Sequence, residues 1–216
     1  LVIKMRASLL LGSIICIALV ALGMSIPIPA RYGGYKKGSP SAPVVIEMWG
    51  DFQCMDCRIA WPIVRQVMAH YGDEKLFFIL HPFPLTMHRQ AWDAAQTAAI
   101  VSQQVSNPSH LFDFFDFLWK NQPSFSQATF YGKTQADLYA LMSGYAAQWG
   151  VSNSTFYSKM GSDAIFNLAY NGVQMGGDRH VYMTPTFYIN GIQSTFDEKT
   201  TFSEWVTLID SLINGH

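Results

Sequence analysis

A chain of 216 residues, half of them hydrophobic and 14% aromatic, has the material for one sizeable core and is not a disordered polymer. Only 13% of residues are charged and the formal net charge is -1, which excludes the basic footprint of a nucleic-acid binder and any partner held by bulk charge. Recognition is expected to be apolar and local.

Lys4 and Arg6 stand ahead of an uncharged apolar stretch from Ala7 to Met24. Residues 1–24 therefore read as a signal peptide, with Ala21-Leu22-Gly23 as small residues for cleavage, or as an uncleaved signal anchor in the membrane, which the stretch is long enough to be. Either way the basic flank stays inside and the rest of the chain leaves the cytoplasm. Residues 25–43 carry Pro27, Pro29, Gly33, Gly34, Gly38, Pro40 and Pro43 and read as a linker. The domain proper is expected over 44–216. The terminal Ile213-Asn214-Gly215-His216 is not an ER-retention signal, so secretion, a periplasm-like space and membrane tethering all remain open.

Val44 to Trp49 has the β-branched and aromatic content of a buried strand. A helix is expected from Cys54 to Tyr71, its apolar stripe marked by Ile59, Ile63, Val64, Val67 and Met68 and its end by Gly72. Pro62 falls inside it, where an unrelieved proline costs about 3 kcal/mol. Lys75 to Leu80 reads as a second strand, ended by His81-Pro82-Phe83-Pro84. From about residue 89 to 177 every segment is helical: Gln90 to Val105, Leu111 to Trp119 after Asn107-Pro108, Thr134 to Trp149, and Ser162 to Met175. The aromatic set Phe112, Phe114, Phe115, Phe117 and Trp119 is expected to be core. Strands return at Thr186 to Ile189 and Ile192 to Phe196, joined by the Asn190-Gly191 turn. Thr201 and Glu204 then form a capping box for a last helix whose buried face is Trp205, Leu208, Ile209 and Leu212. The order is βαβ, helical block, ββα.

Of three cysteines, Cys16 lies in the leader, leaving Cys54 and Cys57 as a CxxC where a strand hands over to a helix. The first turn of a helix offers unpaired N–H groups and the positive end of its dipole, both of which favour a thiolate. Cys54 is thus the expected nucleophile. Cys57, on the same helix face, is placed to attack a mixed disulfide on Cys54 and expel the partner. An extracytoplasmic chain with only this pair has no disulfide framework and is expected to use it for exchange.

Several stretches together resemble the DsbA-like branch of the thioredoxin-like superfamily: Val44-Val45-Ile46-Glu47, Asp51-Phe52-Gln53-Cys54-Met55-Asp56-Cys57 with Pro62, His81-Pro82-Phe83-Pro84-Leu85 with His88, and Met183-Thr184-Pro185-Thr186-Phe187-Tyr188-Ile189-Asn190-Gly191. The resemblance covers roughly residues 40 to 214. It implies an α/β thioredoxin-like fold with an all-helical insertion, and a protein thiol-disulfide oxidoreductase. It also implies a cis Pro185 with the Thr184 backbone opposite Cys54, open to an extended substrate segment. Met55 and Met183 would flank that segment. The dithiol itself serves, with no cofactor and no metal.

Two departures from the family pattern bear on mechanism. Met55-Asp56 stands where Pro- or His-containing pairs are common, and a carboxylate near Cys54 opposes its ionisation, so a moderate redox poise is expected rather than that of a strong oxidant. Glu47 lies seven residues before Cys54, whereas the buried proton-relay acid of many relatives lies six before. One residue flips the face of a strand, so either Glu47 relays protons past a bulge near Gly50 or Asp51 takes that place.

Competing readings are a zinc half-site, which lacks further ligands, a kappa-class glutathione transferase-like enzyme, which usually lacks the second cysteine, and a non-catalytic module binding extended polypeptide. His70, His81, His88, His110, His180 and His216 are scattered and read as structural or exposed. Asn153-Ser154-Thr155 is a glycosylation sequon in an expected loop, meaningful only on a eukaryotic secretory route. The expected partners are cysteine-containing proteins and a redox protein that recharges the dithiol. No dimerisation segment precedes the domain, so simple exchange is expected rather than isomerase activity of the dimeric kind, and the expected state is a monomer.

Overall fold

The computed structural model describes residues 33–215; the leader reading for 1–24 lies outside them. Five strands form one sheet: β1 (Tyr35–Lys37), β2 (Val44–Gly50), β3 (Leu76–Pro82), β4 (Thr186–Ile189) and β5 (Ile192–Gln193), in the order β1-β3-β2-β4-β5. Only β2 and β3 are parallel, and they are joined by helix α1 (Met55–Lys75). Between β3 and β4 come α2 (Ala91–Ser102), α3 (Pro108–Lys120), a 3-10 turn (Gln122–Phe125), α4 (Gln135–Ala147), α5 (Asn153–Lys159) and α6 (Asp163–Asp178); α7 (Phe202–Asn214) closes the chain. This is a thioredoxin-like α/β architecture with a helical block set into it.

Alternation along β2 sorts the two sides of the sheet. Val44, Ile46 and Met48 face a core shared with Ala60, Trp61, Val64 and Val67 of α1 and with Trp205 and Ile209 of α7. Val45 joins Ala42, Phe77 and Ile79 on the other side, and Trp49 joins Val181 and Tyr188 there. Of the expected aromatics of α3, Phe112, Phe114, Phe115 and Trp119 are buried and Phe117 is half-buried against them, and Trp119 packs on Trp61 with centroids 4.4 Å apart. The helical block is thereby keyed to α1, the helix that starts at the cysteines.

Several local expectations shift. Residues 35–37, read as linker, form an edge strand on β3, with Tyr35 opposite Leu80. Strand β3 runs on through Pro82, because Phe83 N–H still bonds Gly50 O at 2.8 Å. Gly72 breaks helical geometry in α1 with φ 68° and ψ 176°, yet the helix resumes as far as Lys75. Pro62 lies on the solvent side of α1, where water can serve the carbonyl it leaves unpaired. The Asn153 sequon opens α5 rather than lying in a loop, and β5 stops at Gln193. Both capping boxes, at Thr134/Asp137 and Thr201/Glu204, are formed. On α7, Leu212 is exposed, and Trp205 and Ile209 carry the packing.

Candidate active site

Strand β2 delivers the chain into Asp51-Phe52-Gln53, and the Asp51 side chain shapes this turn. Its Oδ1 accepts from Gln53 N–H at 2.6 Å, and its Oδ2 accepts from Leu85 N–H at 2.9 Å and His88 Nδ1 at 2.8 Å. Its carbonyl accepts from Cys54 N–H at 3.1 Å and from the Trp119 indole at 3.1 Å. Three buried glutamine amides finish the frame. Gln53 Nε2 donates to Gln90 Oε1 at 2.6 Å and to Phe125 O at 2.9 Å, and Gln90 N–H returns a bond to Gln53 Oε1 at 3.0 Å. Gln122 Nε2 donates to Phe52 O at 3.0 Å and Cys54 O at 2.7 Å. The cysteine turn is thus held by the helical block as well as by the sheet.

Cys54 is the N-cap residue of α1, in extended conformation, and both cysteines are free thiols. Cys54 Sγ donates to Thr184 O at 3.2 Å, and the Thr184–Pro185 peptide is cis. Cys57 is wholly buried, and its sulfur accepts from Asp51 N–H at 3.4 Å. The Cys54 thiol is brought down to about 6, chiefly by a hydrogen bond from Cys57, against burial and with help from Thr184 and the Cys57 and Asp56 amides. Cys57 moves the opposite way, well above the ordinary thiol: burial disfavours its charge, and so do its bond to Cys54 and the charge there. The Thr184 hydroxyl is buried without a partner while both sulfurs are thiols, yet it lies close enough to favour ionisation of either.

Cys54 is only 5% exposed, but its chain neighbour Met55 is 59% exposed and Met183, next to Thr184, is 62% exposed. The approach to the sulfur therefore runs past two flexible thioethers.

Glu47 is not part of this cluster, and the expectation that it serves Cys57 is corrected. It sits on the sheet face turned away from α1, 2% exposed, where Oε2 bonds His81 Nε2 at 3.0 Å and Oε1 pairs with Arg179 at 2.6 Å. Burial would raise its pKa, but the bonds from His81 and Arg179 outweigh that and hold it below the usual range. His81 is lowered by burial, against the pull of Glu47. The seven-residue spacing has its plain consequence: no bulge restores the direction, because the register Glu47↔Ile79 and Glu47↔Tyr188 is regular.

Sequence reasoning missed Gln53, Gln90 and Gln122 as a unit and set His88 aside as one of six scattered histidines. The available signal was polarity at helix-start positions otherwise surrounded by apolar residues, together with His88 lying in a quoted motif. Among the described residues, no three His, Cys, Asp or Glu side chains converge as a metal site.

A family model described as Thioredoxin matches residues 33–211, and the chain belongs to the thioredoxin family. Its architecture is the DsbA-like one: BdbD from Bacillus subtilis superposes with a TM-score of 0.70 at 18% identity, over 85% of this chain and 94% of that one. Alpha-DsbA1 from Wolbachia pipientis superposes with a TM-score of 0.69 at 18% identity, over 88% of this chain and 94% of that one. At such identities the likeness is one of fold. In sequence the chain is similar to disulfide bond formation protein D of Bacillus subtilis, 24% identical over 171 residues, covering 75% of this chain and 70% of that protein. It is 28% identical over 164 residues to Na(+)/H(+) antiporter NhaA 1 of Mycolicibacterium vanbaalenii, covering 73% of this chain but 23% of the antiporter. The chain thus spans about a quarter of the length of the antiporter relatives it matches.

Proposed function

We propose that this chain is an extracytoplasmic thiol-disulfide oxidoreductase that exchanges disulfides with cysteine-containing proteins through Cys54 and Cys57, without a further cofactor. The observation that carries this reading is the opposite displacement of the two sulfurs, Cys54 down to about 6 and Cys57 up. A low-pKa sulfur is a good leaving group and is ionised at neutral pH, and a high-pKa sulfur holds a proton until it is needed.

In the oxidising direction a substrate thiolate attacks Cys54 Sγ and the Cys54–Cys57 bond breaks. Cys57 leaves as a thiolate and, its pKa being raised, takes up a proton from solvent. A second substrate thiol gives its proton to solvent and attacks the substrate sulfur of the mixed disulfide. The substrate disulfide forms and Cys54 departs as thiolate. Reduction of a substrate is the same path reversed. Thr184 presents backbone polar groups beside the reacting sulfur, Pro185 fixes their direction, and Met55 and Met183 offer adaptable apolar contact on either side. The Asp51 carboxylate is taken up by Gln53, Leu85 and His88, so it holds the turn rather than acting as the relay.

Location outside the cytoplasm is supported by the basic residues Lys4 and Arg6 ahead of the apolar run to Met24. Cys57→Ser is expected to accumulate dithiothreitol-sensitive mixed disulfides with cellular proteins, and Cys54→Ser is expected to accumulate none. Failure of the Cys57→Ser protein to trap any partner, with wild type still preventing aggregation of an unfolded protein, would replace this reading by the non-catalytic binding module.

A further inference from the structure

Asp51 is 1% exposed and stands three residues before the nucleophile. Its carboxylate shapes the cysteine turn by accepting from two backbone amides, so the fold requires an anion where an anion works against ionisation of Cys54. No histidine lies between the cysteines; Met55 and Asp56 fill those places. A histidine arrives instead from the loop after β3, with His88 Nδ1 2.8 Å from Asp51 Oδ2 and its side chain 22% exposed, so water can deliver and remove its proton.

We propose that His88 is the counter-ion of the site: protonated, it cancels the Asp51 charge and so lets Cys54 stand as a thiolate, coupling the exchange chemistry to pH. This rests on the exchange reading above and deepens it by naming a positioning residue that acts through Asp51. The groups that face His88 are Asp51, from the turn before α1, and Cys54, at the head of that helix; Arg89 follows it in the chain. His88 is held above the ordinary histidine range, first by its bond to Asp51 and, against burial, by the charges on Asp51 and Cys54. Coupling of this kind is reciprocal. The lowering of Cys54 is led by Cys57, Thr184 and the helix amides, so the share of His88 is the smaller part.

The test is the thiolate absorbance of reduced protein at 240 nm against pH, for wild type and His88→Gln. Glutamine keeps a donor for Asp51 and removes the charge. The variant is expected to raise the Cys54 pKa by about half a unit and to move its equilibrium with glutathione about threefold toward the disulfide. A purely structural His88 predicts no change in either, and a folded His88→Gln protein titrating like wild type overturns the proposal. Should the variant misfold, the wild-type His88 imidazole resonance decides: its pKa should be higher in the dithiol than in the same protein alkylated at Cys54, and equal values overturn the proposal. The thiolate titration needs no exchange at all. A wild type inert toward glutathione would sink the oxidoreductase reading while leaving the counter-ion question answered.

Discussion

Cys54 and Cys57 differ in ionisation because of what each sulfur touches. Cys54 has donors around it, whereas Cys57 has burial and a neighbouring charge. Alkylation of Cys54 by iodoacetamide should therefore rise through pH about 6 and level off by neutrality, with Cys57 unreactive until the protein unfolds. Thr184→Val removes a hydroxyl that has no partner in the dithiol form. Stability should barely change, while the Cys54 pKa rises by a fraction of a unit, readable at 240 nm. With a nucleophile at about 6, the glutathione equilibrium should place the potential between about −270 and −120 mV, above thioredoxin and below the strongest oxidants. A value at the oxidising end would contradict the influence assigned to Asp56. The CxxC and its neighbours were legible in the sequence because their signals are local. The glutamines and His88 were not, since Gln53 meets Gln90 37 residues away and Phe125 72 away.

At the scale of elements, the pair of buried Glu47 and half-buried Arg179 ties the end of α6 to the middle of β2, while Tyr188 of β4 donates its hydroxyl to Arg179 O at 2.6 Å. Helix α6 also comes so close to β3 that a Cβ on Gly172 would collide with the Pro82 carbonyl. Gly172→Ala should lower the urea midpoint by about 1–3 kcal/mol worth of stability, through forced separation of helix and strand. Glu47→Gln should cost about 2 kcal/mol by leaving Arg179 without its counter-charge. It should leave the rate of exchange with a dithiol peptide unchanged, whereas a relay acid would slow that rate strongly. The sequence showed the helices well, because capping residues such as Thr134 and Thr201 announce their starts. Strand β1 escaped, being three residues long, bordered by glycines and carrying Lys36-Lys37; only pairing with β3 makes it a strand.

For the molecule as a whole, Cys54, Glu47 and His81 weaken the fold on acidification, while His88, raised in the fold, works the other way. The Cys54 pKa lies below that of an unfolded cysteine, so its contribution is present above the unfolded value and is lost as pH falls through about 6. It amounts to about 1 kcal/mol at pH 7. Glu47 and His81, both lowered in the fold, are lost in the same direction at lower pH. Urea unfolding of the dithiol form should thus weaken between pH 7 and pH 5 more than that of the disulfide form, which has no Cys54 proton to bind. Equal losses in the two forms would contradict the thiolate assignment. The bond between Cys54 and Thr184 spans 130 residues of chain, with the whole helical block between them. On a ribosome adding about 5–20 residues per second, the sulfur emerges many seconds before the Thr184 loop that completes its surroundings. A nascent chain accordingly lacks the share of Thr184 in lowering the Cys54 thiol until β4 has docked.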